Sequence, residues 1–172
     1  MVKLFHRSVK WSTLILLIVL VVNVILGTIT NVSHYITSSD AFVFTYFLNL
    51  KQPDHRLSYE EEIQLIRRVQ LDVLAKAPLG AAVPNDRERE PVDLFINKTG
   101  LCYDRSRTFD KVFTWLGFKA RHVYLLYLQD PRTQEWIYPW RAFFTRGTAS
   151  HAVTEVLTQK GWVVVDSNTE WI

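Results

Sequence analysis

Three residues of this chain have the types that nucleophilic acyl transfer requires. Cys102 is the only cysteine. It follows Thr99-Gly100-Leu101, where the pattern predicts the start of a helix. Free backbone N–H groups and the positive end of a helix dipole favour a thiolate over a thiol there. The same N–H groups can hold a developing oxyanion. His151 and Asp166 supply the other two types, an imidazole that moves protons and a carboxylate that orients it. Singly, each has an ordinary reading: a small buried thiol, a hydrogen-bonded structural histidine, and a strand-end cap. Only their conjunction points to chemistry.

The elements that must bring them together are visible in the spacing of apolar residues. Ser58-Tyr59-Glu60-Glu61 is a capping box, and Ile63, Ile66, Val69 and Val73 then repeat at helical intervals up to Ala77-Pro78. A second helix is predicted from Cys102 to Leu116, with Gly117 just past its end. Its apolar stripe of Phe109, Val112, Phe113 and Leu116 continues back to Cys102. Strands are expected over 120–128, 151–157 and 162–166. Helices followed by an antiparallel sheet give the α+β class. Residues 41–50 read as an edge strand or as a segment lying near a membrane surface. The proline-rich stretch 78–91 reads as a solvated loop. Arg105 and Arg107 are expected to be solvated or paired with Asp104 or Asp110.

Whether His151 meets Asp166 depends on strand register. A four-residue loop, Leu157-Thr158-Gln159-Lys160, sets His151 directly opposite Asp166, on one face. A two-residue loop at Lys160-Gly161 instead puts Asp166 opposite Glu155, about 13 Å along the strand from the histidine.

Taken together, four segments resemble a known family. They are Gly100-Leu101-Cys102, Gly117-Phe118-Lys119-Ala120-Arg121, Ser150-His151-Ala152-Val153-Thr154-Glu155-Val156 and Gly161-Trp162-Val163-Val164-Val165-Asp166. In order and spacing they are similar to the transglutaminase-like (papain-like) core in its small bacterial membrane-anchored form, over roughly residues 58–172. The resemblance implies a nucleophile helix packed on an antiparallel sheet. It implies Cys102 as nucleophile, His151 as general base and acid, and Asp166 as the orienting group, with no cofactor. The chemistry would be attack on a peptide or protein amide through a thioester. Hydrolysis makes a peptidase or amidase, which is favoured here, and capture by an amine makes a transglutaminase. The alternative is a catalytically silent module of the same fold that binds an envelope or polysaccharide-export partner.

Charge and hydropathy frame this reading. Lys3, Arg7 and Lys10 are the only charges in residues 1–30, and the 17 basic residues that remain equal the 17 acidic ones. The basicity belongs to the leader, which removes a nucleic-acid reading. Residues 11–29 are apolar and uncharged, and 19 residues of helix reach about 28 Å, close to a hydrocarbon core. The expectation is therefore a basic tail at 1–10, a single-pass signal anchor at 11–29, a stalk at 30–57 and the catalytic domain at 58–172. By the positive-inside rule the N-terminus stays cytoplasmic and the domain faces the periplasm, on the outer side of the inner membrane. The histidines show no metal-ligand spacing. The long connection 129–150 carries Trp136, Tyr138 and Trp140, which are expected to flank the cleft and contact substrate.

Overall fold

The computed structural model describes residues 13–25, 33–129, 133, 135–144 and 149–171. Residues up to Ser33 and those from His34 onward form two compact units. In the first, residues 13–25 (α1) are helical, and their apolar side chains are exposed on every face. Asn23 does not reach outward: its Nδ2 donates to the Val19 carbonyl of its own helix at 2.8 Å. The remainder of the expected anchor, 11–12 and 26–29, lies outside the described residues, as does the basic tail 1–10. Among the described residues, no helix is long and apolar enough to cross a membrane.

The second unit is α+β. Its elements are α2 (Ser38–Phe42), a π-helical turn (Val43–Phe47), α3 (Tyr59–Lys76), α4 (Pro91–Asn97), α5 (Cys102–Trp115), β1 (Lys119–Leu126), α6 (Pro139–Phe144), β2 (Ser150–Thr158) and β3 (Gly161–Asp166). The three strands form an antiparallel sheet in the order β1-β2-β3. Residues 41–50 are thus mostly helical rather than an edge strand. Thr37 and Asp40 cap α2 reciprocally. Val43, Phe44, Leu48 and Leu50 are buried in the main core, so the segment expected to be a stalk packs into the domain instead.

α3 begins at the predicted capping box, Ser58 with Glu61. It buries Ile66, Val69 and Val73 against Phe109, Val112 and Phe113 of α5 and against Val156 and Val165 of the sheet. α5 ends where predicted, because Gly117 takes a φ of +92° that a side chain would resist. Few helices are less suited to a core by composition: Asp104, Arg105, Asp110 and Lys111 are all essentially inaccessible. Each has a charged or hydrogen-bonding neighbour. Lys111 Nζ lies between Asp40, at 3.1 Å, and Glu90. Arg107 pairs with Glu90 at 2.5 Å rather than with Asp104 or Asp110. Asp110 faces His34 at 3.1 Å.

The β2–β3 register differs from both expected ones. Gly161, with φ +118°, closes a two-residue turn at Gln159-Lys160, and Thr158 pairs with Gly161. Asp166 therefore sits opposite Val153, and His151 is its diagonal neighbour. The true register lies two residues from each expected one. A shift of two keeps every side chain on its face, whereas a shift of one would have exchanged the faces.

Removing the buried ammonium leaves the buried Asp40 carboxylate without its cation, while Glu90 keeps only Arg107. Lys111→Met is expected to destabilise the domain by roughly 3–5 kcal/mol. Lys160→Met, at an exposed pair 3.8 Å from Glu60, should change stability by less than about 0.5 kcal/mol. Urea denaturation of the two variants measures the contrast.

Candidate active site

Cys102 is the first residue of α5 and is half-buried. The turn that delivers it is built by the loop read from sequence as solvated. Leu79 bridges to Gly100 in parallel fashion, with Gly80 N donating to Gly100 O and Gly100 N to Pro78 O. Asn97 Nδ2 donates to Thr99 O at 2.7 Å and to Ala81 O at 3.2 Å. The buried Asp104 carboxylate accepts from Leu101 N at 3.0 Å and from Val83 N at 3.2 Å, which caps α5 and ties the loop to it. Gly100 is required for close approach. A Cβ there would lie 2.5 Å from Leu94 Cδ1 and 3.2 Å from Asp104 Cβ.

The imidazole and carboxylate meet at the far end of the hairpin. His151 Nε2 donates to Asp166 Oδ2 at 2.9 Å, the diagonal separation being bridged by the two side chains. Asp166 Oδ1 accepts from the Asn168 and Thr169 amides at 2.6 and 2.9 Å. Partial burial pushes the Asp166 carboxyl upward, but these two amides and His151 outweigh it and hold the group below its ordinary range. Its ionised form is thereby maintained, as an orienting group needs. The main chain of the same turn is held from α3: the buried Gln70 Nε2 faces the carbonyls of Asp166, Thr169 and Trp171 at 2.9–3.0 Å.

The structure thus joins His151 to Asp166 directly. No hydrogen bond joins Cys102 to His151 among the described residues, but Arg105 relates the two halves. It lies one turn after Cys102, is 1% exposed, and donates to Asn168 Oδ1. Asn168 Nδ2 in turn lies 3.4 Å from His151 Nδ1. Burial lowers the Arg105 guanidinium from its usual range, and Cys102, Asp166 and Asp104 pull it back up. Arg105, expected to be solvated or paired with Asp104 or Asp110, is instead buried on Asn168, while Asn168 and Gln70 are residues that sequence reasoning passed over; only their long-range partners mark them.

Beside Cys102 stands an aromatic cluster that was also unforeseen. Tyr103, His122 and Tyr124 are in mutual ring contact. Burial pushes the Tyr124 hydroxyl up, and its neighbours Tyr103 and Cys102 add to the rise. His122 Nδ1 lies 2.9 Å from Ser106 Oγ. Burial, helped by the Arg107 charge, lowers this imidazole to about 4. Trp136, Tyr138 and Trp140 by contrast project into solvent, in and just before α6, a helix absent from the sequence reading. None of them hydrogen-bonds to Cys102, His151 or Asp166 among the described residues. No group of three His, Cys, Asp or Glu side chains there is placed to hold a metal ion.

Two outcomes are expected. Gly100→Ala should cost about 1–3 kcal/mol through overpacking against Leu94 and Asp104, measured by urea denaturation. His122 is neutral when folded and binds protons more readily when unfolded, so its contribution to stability is present above pH 6.5 and is lost as pH falls toward about 4. The loss reaches at most about 3 kcal/mol. Wild type should lose stability over that interval, and His122→Gln should lack this component. Parallel unfolding curves at matched pH values would contradict it.

No curated protein matches the chain. A family model described as the transglutaminase-like superfamily matches residues 54–167, well over half the sequence. That span contains α3, α4, α5 and the whole sheet, with the Cys102 turn and the His151–Asp166 pair inside it. The chain belongs to the transglutaminase-like superfamily.

Proposed function

We propose that this protein is a cysteine-dependent acyl-transfer enzyme in which Cys102, His151 and Asp166 act as a triad on peptide or protein amides. The observation that carries the reading is the 2.9 Å contact between His151 Nε2 and a carboxylate saturated by backbone amides. It leaves Nδ1 as the ring nitrogen for proton exchange, in a chain whose only cysteine opens the helix packed on that sheet. His151 takes the Cys102 proton and the sulfur attacks the carbonyl carbon. The imidazolium then protonates the departing amine, giving a thioester. Free N–H groups at the start of α5 are suited to the oxyanion. Water resolving the thioester makes the enzyme a peptidase or amidase, and this is the outcome we favour over transamidation.

The exposed apolar helix α1 and the three basic residues before residue 11 support an anchored protein. Its leader would cross the inner membrane and its catalytic domain would stand outside the cytoplasm. Trp136, Tyr138 and Trp140, exposed near the domain's long connection, remain our proposed contacts for substrate.

Alkylation kinetics test the triad. The full chain, solubilised in detergent, should react with iodoacetamide at Cys102 at neutral pH at least about tenfold faster than His151→Ala or Asp166→Asn. Equal rates in all three would remove the acyl-transfer reading and favour the silent binding module of the same fold.

A further inference from the structure

α2 and the π-helical turn, residues 38–47, carry a single charge, Asp40, and it is turned inward onto the buried Lys111 at 3.1 Å. α4 also carries one, Asp93, which is spent on the start of its own helix, accepting from Glu90 N at 3.1 Å. The outward side of these two segments is therefore apolar, and it is not flat. A groove of about 510 Å3 lies between them, floored by Val43 and Phe95 and walled by Phe42, Phe47 and Ile96. The floor belongs to the core, whereas Phe42 and Ile96 are 61% and 65% exposed. Tyr46, exposed as well, extends the apolar surface, its ring centroid 4.9 Å from that of Phe42.

A grooved apolar surface of this kind marks an interaction site, and the length of chain ahead of it selects the occupant. His34 faces the buried Asp110 at 3.1 Å and Ile36 packs against the core, so the domain is engaged from residue 34 onward. The uncharged run 11–29 ends at Ile29. Five residue steps separate the two, and an extended chain covers at most about 18 Å in five steps. α2 follows at once, capped by Thr37, and it brings one wall of the groove with it. Cations stand at the edge of this surface. Lys76 Nζ lies 4.5 Å from the centre of the Phe47 ring and donates to Phe47 O at 2.7 Å, and Arg68 Nη2 donates to Asn49 O at 3.0 Å. Exposed aromatic rings bordered by Lys and Arg suit the level of lipid head groups, where the rings enter the acyl boundary and the cations meet phosphate.

We propose that the groove between the π-helical turn and α4 is a membrane-docking surface: it rests on the lipid bilayer, with Phe42, Tyr46 and Ile96 entering the acyl boundary. This rests on the anchored reading of the leader, to which it adds a second contact, made by the domain itself. The residues expected to form a stalk instead form the docking face, and the domain lies on the bilayer with one preferred side down.

The test uses the full chain in nanodiscs of phosphatidylcholine and phosphatidylglycerol, with trifluoromethylphenylalanine placed at one position at a time and read by fluorine NMR. The positions are Phe42 in the groove, Val22 in α1, and Trp171, exposed elsewhere on the domain. Lipids spin-labelled near the top of the acyl chain should erase the signals at Val22 and Phe42 and leave the one at Trp171. A surviving Phe42 signal beside an erased Val22 signal overturns the docking surface, spares the anchor and leaves the groove to a protein partner. A surviving Val22 signal removes the anchor and the docking surface together. Erasure at Trp171 as well as Phe42 also overturns the proposal, since the contact would then have no preferred side. The groove itself is tested with the probe at Tyr46 in a Phe42→Glu, Ile96→Glu variant, whose substitutions fall on exposed walls. The Tyr46 signal should be erased in the parent chain and return in the variant; erasure in both overturns the assignment of the groove as the seat.

Discussion

The domain is organised by the need to bury a polar helix. Asp104, Arg105, Asp110 and Lys111 lie within ten residues of the start of α5, and none has appreciable contact with water. An ionised side chain survives in such surroundings only with an opposite charge or good hydrogen-bond partners beside it. The elements around α5 supply them to Lys111 and Arg105: Asp40 from α2, Glu90 from the turn before α4, and Asn168 from the turn after β3; Asp110, which faces His34 at 3.1 Å, has its carboxyl pushed up by burial. Ser106 and Thr154, whose hydroxyls lie 2.9 Å apart, do the same for α5 and β2 without charge.

This requirement also explains why the candidate site is where it is. The apolar stripe of α5, Phe109, Val112 and Phe113, packs with α3 and the sheet in the main core. The polar half points toward the end of the sheet where β2 begins and β3 stops. There one partner of α5, Asn168, belongs to the turn whose amides hold Asp166. Asp166 is drawn upon by two backbone amides and an imidazole, and Gln70 fixes the carbonyls of the turn.

Local signals were legible in the sequence and distant ones were not. Ser58 with Glu61, Cys102 at a helix start and Gly117 past its end all depend on residues within four positions, and the structure has them as read. Strand parity was legible too, which is why His151 and Asp166 share a face even though the turn is Gln159-Lys160 and the register is two residues from either one expected. Arg105 was misread because its partner is 63 positions away, and Gln70 because its carbonyls lie 96 or more positions on. The charged loop 78–91 looks solvated until Asp104 is seen to need Val83 N and Lys111 to need Glu90. The helix α2 was hidden by aromatic residues that suit a strand equally well, since its caps Thr37 and Asp40 stand ahead of the apolar run.

β3 is fastened to α3 at both of its ends. At the turn, Gln159 N donates to Glu62 Oε2 at 2.9 Å, and Gln159 Nε2 reaches the Leu57 carbonyl. At the other end, Gln70 holds the carbonyls from Asp166 onward. A strand pinned twice to one helix cannot hinge away from it, so α3 and β3 move as a single body, carrying Asp166 and Asn168 with them. β1, like β3, has a strand partner on one side only, and it exposes Tyr124, Leu125 and Leu126. The carboxylate end of the sheet is thereby the braced one, since opening it would break the Gln70 and Gln159 contacts together.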